Sequence, residues 1–210
     1  MKKFELTSET KINIFGKKLF RIKALISFAD VEAGETGGWV EKEGNVNQSG
    51  DAWVSGDAWV SGNAEVSGNA KVSGNAKVYG NAKVSGDAKV YGNAEVYGNA
   101  EVSGDAWVYG NAKVSGNAWV YGNAKVSGNA EVSDNAEVSD NADYTTIHGF
   151  GTQFRTTTFF RCKDKKVRVA CGCFFGTIPK FREQVKNTRK GKIAEEYLMI
   201  ADLMENHFEK

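Results

Sequence analysis

The sequence has one proline and three cysteines among its 210 residues. A single proline beside 24 glycines argues against collagen and against a proline-rich linker. Three cysteines, an odd number and all in the last third of the chain, do not form a disulfide framework and fit a reducing compartment. The chain lacks a run of about 18 apolar residues, and its first residues, Met1 to Thr7, lack the apolar centre of a signal peptide. We therefore expect a soluble, cytoplasmic protein that makes no contact with a membrane.

An excess of charge is also missing, because 27 lysines and arginines face 26 aspartates and glutamates. Nucleic-acid-binding proteins usually carry a basic excess, so a nucleic-acid partner is not expected. The chain also lacks a phosphate-binding loop, a nucleophile elbow and a carboxylate dyad. Since the common signatures of an enzyme are absent, we expect no bound cofactor.

The dominant feature of the sequence is an uninterrupted six-residue repeat. Between Ser49 and Val138, the unit [Ser/Tyr]-[Gly/Asp]-[Asn/Asp]-Ala-x-Val occurs fifteen times without a gap, and a sixteenth unit ends in Tyr144. Ala and Val lie two positions apart, so both point to the same side of a strand while residue x points outward. The Gly-Asn pair suits a corner, because both residues tolerate positive φ. The repeat therefore predicts short strands and turns that stack around a continuous core.

This repeat resembles that of the hexapeptide-repeat proteins, which fold as left-handed parallel β-helices with three units in each triangular coil. Fifteen units then make about five coils, or roughly 25 Å at a strand spacing of ~4.8 Å. The segment 37–40, Gly-Gly-Trp-Val, leads into the repeat and makes residues 22–144 similar to YdcK-like proteins. Such proteins are common in bacteria and phages, and they are usually described as acetyltransferases by analogy of fold.

We expect a mainly β protein with three parts. Residues 1–48 form an N-terminal β-hairpin cap that turns at Gly16 and Lys17 and covers the first open edge of the solenoid. Residues 49–144 form the β-helix. Residues 145–210 form a small α+β module, with strands at 155–160 and 166–170 and helices at 178–185 and 193–208. In the second helix, the predicted apolar stripe comprises Ile193, Tyr197, Leu198, Ile200, Ala201 and Leu203. This module resembles C-terminal modules found beside such repeats in phage proteins.

Outward residues 18 positions apart should stack in three columns if three units make one coil. The first column is Trp59, Lys77, Glu95, Lys113 and Glu131. The second column is Glu65, Lys83, Glu101, Trp119 and Glu137. The third column is Trp53, Lys71, Lys89, Trp107 and Lys125. Charges alternate in the first column, and like charges are never adjacent in the second. Because opposite charges on neighbouring strands stabilise a sheet by roughly 0.2–1 kcal/mol per pair, this pattern favours three units per coil and fixes the register.

The third column lacks glutamate and combines tryptophan with lysine. One interpretation is packing of lysine stems over aromatic rings. The other is a flat aromatic face that binds a partner chain or a second copy of this protein. Both interpretations stay open at this point. The candidate binding surface consists of Trp53, Lys71, Lys89, Trp107, Tyr109 and Lys125.

Acyltransferases of the hexapeptide class typically use a catalytic histidine and often bind coenzyme A between subunits. The two histidines of this chain, His148 and His207, both lie outside the repeat, and no loop interrupts the repeat to build the wall of a pocket. The resemblance therefore leaves His148 as the candidate general base, although a satisfied or solvent-facing histidine is the commoner case.

Two further groups of residues could bind a ligand or partner. The three cysteines, Cys162, Cys171 and Cys173, add up to one Cys₃His zinc set with His148, but their spacing is not that of a zinc knuckle, and buried free thiols are common. We therefore expect no metal. The basic residues Lys186, Arg189, Lys190 and Lys192 could meet an acidic partner, although such a run is usually a solvated face.

These observations favour a non-enzymatic structural or interaction protein of phage or prophage origin. The β-helix would serve as a rigid spacer or an oligomerising rod, and the C-terminal module would contact a protein partner. In a phage, such a module could engage a host defence component or sequester a small signal molecule. A homo-oligomer is the other association we expect. The alternative is an acyltransferase of the hexapeptide class.

Overall fold

The computed structural model describes residues 2–209. Three strands precede the repeat: β1 Phe4–Ile12, β2 Lys18–Ala24 and β3 Thr36–Val40. Each repeat unit contributes one two-residue strand: β4 Trp53–Val54, β5 Trp59–Val60, β6 Glu65–Val66, β7 Lys71–Val72, β8 Lys77–Val78, β9 Lys83–Val84, β10 Lys89–Val90, β11 Glu95–Val96, β12 Glu101–Val102, β13 Trp107–Val108, β14 Lys113–Val114, β15 Trp119–Val120, β16 Lys125–Val126, β17 Glu131–Val132 and β18 Glu137–Val138. The remaining elements are β19 Tyr144–Phe150, β20 Arg155–Arg161, β21 Val167–Cys171, β22 Phe174–Thr177, α1 Ile178–Thr188 and α2 Gly191–Phe208.

The repeat folds into three parallel sheets, which we call the first, second and third faces. The first face has the order β3-β5-β8-β11-β14-β17, the second β6-β9-β12-β15-β18 and the third β4-β7-β10-β13-β16. Neighbours within the repeat are 18 residues apart, as where Lys77 pairs with Glu95. The parallel β-helix, the three-unit coil and the three columns predicted from the sequence are confirmed.

The solenoid has about six coils, so the prediction of about five was one coil short. Trp39 in β3 pairs in parallel with Trp59, and Val46 forms a bridge with Val66. These residues build an additional coil before the first strict unit. The six-residue pattern does not predict this coil, because the segment 36–48 lacks the Ala-x-Val of the repeat and its strands pair with residues 20 positions later instead of 18. The left hand of the helix stays a prediction from the resemblance.

The core consists of the alanine and valine of every unit. None of these side chains in the fifteen units is more than 1% exposed. Complete burial of a valine stabilises a fold by about 1.5–3 kcal/mol relative to exposure, and the gain accumulates only when the coils stack.

The corners join neighbouring coils through backbone and side chains. The glycines of the units from Gly50 to Gly128 have φ between 61° and 75°, which favours glycine, and Asp134 adopts φ 61° at the same position of the last unit. Asparagines that follow the corner glycines donate side-chain hydrogen bonds to the asparagine 18 residues later. One ladder is Asn63, Asn81, Asn99 and Asn117, and another is Asn75, Asn93, Asn111 and Asn129.

The N-terminal segment covers the first coil. Strands β1 and β2 form the predicted hairpin, and β2 pairs antiparallel with β3, so this hairpin extends the first face. Gly37 and Gly38 lie so close to the next coil that a Cβ would be 2.7 Å from the carbonyl oxygens of Val54 and Ala58, respectively. This close approach explains the Gly-Gly pair before Trp39.

The C-terminal module is an antiparallel sheet of order β19-β20-β21-β22 with both helices packed against it. Strands β20 and β21 and both helices were predicted, whereas β19 and β22 were not. In α2, Tyr197, Ile200 and Ala201 are buried as expected, but Leu203 is 59% exposed and Met204 is buried instead. No helix within residues 2–209 is long and apolar enough to cross a membrane.

Direct contacts fix the module to the last coils. The backbone N–H of Lys163 donates to the carbonyl of Asn135 (3.1 Å), and the backbone N–H of Glu131 donates to the Thr158 hydroxyl (3.0 Å). Phe160 in β20 is completely buried within the solenoid core. Because two hydrogen bonds and a core residue cross the junction, the module closes the end of the solenoid and is held against it.

Candidate functional site

The predicted binding surface on the third face is only partly exposed. Trp53 is 4% exposed, because Phe4 and Phe28 of the N-terminal segment pack edge-on against its ring at 6.2 and 5.5 Å. Lys71 forms an ion pair with Asp30 of the same segment. The inclusion of Trp53 in an exposed face was therefore wrong, and Lys71 is already paired.

The rest of the predicted surface lies together on the third face. Trp107 lies between two ammonium groups, those of Lys89 at 4.9 Å and Lys125 at 4.8 Å from its ring centre. Tyr109 stacks on Tyr91 with ring centres 5.0 Å apart and planes within 4°. The ammonium groups of both lysines thus lie over the tryptophan ring, as the packing interpretation expects, and the binding of a partner to this face stays a prediction.

A second candidate is a cavity of about 500 Å³ in the C-terminal module, which we call the module cavity. It lies between the β19–β20 loop, the β21–β22 turn and the two helices. Arg155 opens β20, Arg189 follows α1, and Tyr197 comes from α2. Its other lining residues are Thr152, Gln153, Cys171, Cys173, Phe174, Phe181, Gln184, Val185 and Thr188. This cavity thus brings together residues from both ends of the module sequence.

Two glycines make room for the charged and aromatic side chains of the module cavity. Gly172, in the turn between β21 and β22, has φ 62°, and a Cβ there would collide with the guanidinium of Arg155. Gly151 has φ 70°, and a Cβ there would collide with the hydroxyl of Tyr197. Glycine is needed at both positions for two reasons. It adopts positive φ readily, and it leaves room for the Arg155 or Tyr197 side chain that lies against it.

Tyr197 forms a buried part of the wall of the module cavity, and nearby groups affect the pKa of its phenol. Tyr197 is 8% exposed and its hydroxyl donates to the carbonyl of Phe150 at 3.2 Å. Burial raises the pKa of the Tyr197 phenol and Cys171 adds to the rise, while the positive charges of Arg189 and Arg155 oppose it. Both arginines therefore act on one buried hydroxyl, which stays protonated near neutral pH.

His148 lies outside the module cavity. It is exposed in a cleft of about 430 Å³ between the solenoid residue Glu131 and Arg155, and its Nδ1 lies 3.4 Å from the Thr156 hydroxyl. Among residues 2–209, His148 has no carboxylate within ion-pair distance. Glu131 lines the same cleft but lies beyond ion-pair distance, so no described carboxylate orients His148 as a base.

The three cysteines do not form a common metal site. Cys162 pairs with Lys166 at one end of the β20–β21 hairpin, whereas Cys171 pairs with Thr157 at the other end. Cys171 lies five positions after Lys166 along the strand, so the two ends of the hairpin, and with them Cys162 and Cys171, are roughly 16 Å apart. Cys162 is buried, which raises the pKa of its thiol to about 11, and no metal-binding group was found within residues 2–209.

The predicted basic residues divide into two groups. Arg189 lines the module cavity, whereas Lys186, Lys190 and Lys192 are exposed and lie outside its lining. Sequence reasoning missed Arg155 and Tyr197 as site residues. A usable signal was present, because five of the six arginines of the chain follow residue 154.

Comparison with known proteins supports the repeat architecture. The model of the YdcK Beta solenoid repeat matches residues 106–122, a segment just short of one coil. A search of curated proteins gave no match. The similarity thus concerns the solenoid alone, and the phage-type character of the C-terminal module stays a prediction.

Proposed function

We propose that this protein is a non-enzymatic binding scaffold, in which the solenoid is a rigid spacer and the C-terminal module is the binding end. The observation that supports this best is the contrast between the two parts. The repeat continues through fifteen units without an inserted loop, whereas the module arranges loops and helices around a cavity lined by Arg155 and Arg189.

The solenoid has the properties of a spacer. About six coils at ~4.8 Å per coil give a length of roughly 25–30 Å. Main-chain hydrogen bonds join each coil to the next. Asparagine ladders and stacked pairs such as Tyr79 and Tyr97, whose ring centres are 5.0 Å apart, add to them in the middle coils. Since the module is hydrogen bonded to the last coil, its position relative to the N-terminal segment is fixed by the number of coils.

The proposed partner is a protein with an acidic surface, which would meet the exposed amines of Lys186, Lys190 and Lys192. A bacterial protein, such as a host defence component, is the partner we propose for a gene of phage or prophage origin. The exposed face from Lys89 to Lys125 is the proposed contact for a homo-oligomer.

The alternative is an acyltransferase of the hexapeptide class. His148 favours it by lying in a cleft between the solenoid and the module. An acyltransferase would transfer the acetyl group of acetyl-coenzyme A to the amine or hydroxyl of an acceptor and release coenzyme A, and this turnover would be lost in His148→Ala.

Comparative capture tests the proposal. Native protein, a module variant with Lys186, Lys190 and Lys192 changed to Gln, and a third-face variant with W107S and Y109S are immobilised and exposed to the same bacterial lysate. We expect components held by native protein to be lost from the module variant and kept by the third-face variant. The reverse pattern, or coenzyme A release that depends on His148, would contradict the proposal.

A further inference from the structure

We propose that the module cavity binds a small organic phosphate that carries a flat ring, such as a mononucleotide. This inference rests on the proposed function, because it assigns a ligand class to the module already proposed as the binding end. It concerns the module cavity, whereas the protein partner is proposed to contact the exposed lysines outside it.

Unpaired positive charge is the first argument. Three of the five arginines in the module are neutralised: Arg161 by Asp143, Arg168 by Asp164 and Arg182 by both Asp202 and Glu205. Within residues 2–209, the other two, Arg155 and Arg189, have no carboxylate within 4.0 Å, and both line the module cavity.

Among residues 2–209, the lining of the module cavity contains no carboxylate. Two exposed arginines therefore line one space without a counter-charge from the same lining. Two positive charges at the rim of one concave site attract an anion. An anionic group on the ligand would supply the missing charge.

The number of donors favours phosphate over carboxylate. Each guanidinium offers several N–H groups in a planar fork, and the hydroxyl of Thr152 adds a donor at the same cavity. A carboxylate has two oxygens and one charge, whereas a phosphate monoester has three terminal oxygens and a charge of about −1.5 to −2. The phosphate therefore matches the charge and the donors of this site better.

Aromatic residues favour a flat ring beside the phosphate. Phe174 is half-buried, so part of its ring stays open to the module cavity, and it packs against Phe181 with ring centres 5.4 Å apart. Phe181 in turn packs edge-on against Tyr197 at 5.8 Å, which holds this aromatic wall in place. A volume of about 500 Å³ lies within the range of small-molecule sites.

Isothermal titration calorimetry on the full-length protein tests this inference. The probes are the four ribonucleoside 5′-monophosphates, their nucleosides and inorganic phosphate. We expect at least one monophosphate to bind about tenfold or more tightly than either its nucleoside or inorganic phosphate. Arg155→Gln and Arg189→Gln should each weaken binding about ten- to hundredfold, since each removes charge-assisted hydrogen bonds. Arg155→Lys should restore part of the loss.

Lys180→Gln is the matched control, because it removes one exposed positive charge from α1 outside the cavity lining. We expect it to change affinity by less than about threefold. Circular dichroism and thermal unfolding would confirm that each variant is folded. If Arg155→Gln does not fold, the affinity of Arg189→Gln tests the inference in its place. Absence of monophosphate binding, equal binding of the nucleoside, or an equal effect of Lys180→Gln would each overturn the inference. None of these results would affect protein capture through the exposed lysines.

Discussion

Replacing Gly80 with alanine should destabilise the solenoid more than the same replacement at Gly128. Both residues occupy a corner with positive φ, 75° and 66° respectively, so the cost of a left-handed alanine, about 1–2 kcal/mol, is common to both variants. The two positions differ in their neighbours. A Cβ at Gly80 would lie 3.1 Å from the backbone nitrogen and oxygen of Gly98, whereas a Cβ at Gly128 would have no atom within 4 Å.

The difference between the two variants follows from the stiffness of the next coil. The carbonyl of Gly98 accepts a 2.7 Å hydrogen bond from the backbone N–H of Asn81, so the obstructing atoms are part of the ladder that joins the coils. Forcing a methyl group into a packed site costs about 1–3 kcal/mol. We therefore expect Gly128→Ala to lower the free energy of unfolding by about 1–2 kcal/mol and Gly80→Ala by roughly 2–5 kcal/mol.

Urea unfolding followed by tryptophan fluorescence would give the free energies of unfolding. Native-state hydrogen exchange should accompany it, because repeat arrays can depart from two-state behaviour. The loss of protection should centre on the coils that contain residues 80 and 98. An equal decrease in the free energy of unfolding of the two variants would refute this reasoning. The positive φ alone would then explain why glycine occupies the corners.

Three further predictions concern charge and thiol chemistry. Asp87 and Asp105 are adjacent in a corner column, so Asp87→Asn should add a donor, remove like-charge repulsion and raise the free energy of unfolding by about 0.5–1.5 kcal/mol in urea titration. Cys173 should react with a thiol reagent in the native protein, whereas Cys162, buried and with its pKa raised to about 11, should react only after unfolding. A backbone hydrogen bond lowers the pKa of Glu41 below its ordinary value of 4.5, so its stabilisation should be lost as the pH falls through that lower pKa. Thermal unfolding should therefore be less acid-sensitive in Glu41→Gln.

The sequence predicted the solenoid well because one constraint is repeated in every unit. The alternation of Ala and Val defines the inward side, and the charges of Lys77 and Glu95 define which strands are neighbours. In the structure these two side chains form an ion pair of 2.9 Å. The first coil escaped prediction, since Trp39 and Val46 take the same places without the repeat motif.

The candidate site was much harder to predict. Arg155 and Arg189 are 34 residues apart in sequence, and they share a cavity only because β20, α1 and the loops around them pack as a unit. Burial of Trp53 likewise depended on Phe28, whose position over the third face follows from a loop and not from the repeat. Such contacts depend on irregular segments, in which no periodic pattern specifies the neighbours.

A distance measurement tests the spacer role of the solenoid most directly. Spin labels would be attached to the exposed Cys173 and to Ile14→Cys, at a position 71% exposed on the N-terminal hairpin, with Cys171 replaced by serine. Electron–electron double resonance would then compare this protein with a variant that lacks residues 73–90, one complete coil. We expect a narrow distance distribution in both, with the component along the solenoid axis shortened by ~4.8 Å in the deletion variant. An unchanged mean distance, or a broad distribution in the protein with all its coils, would contradict a rigid spacer.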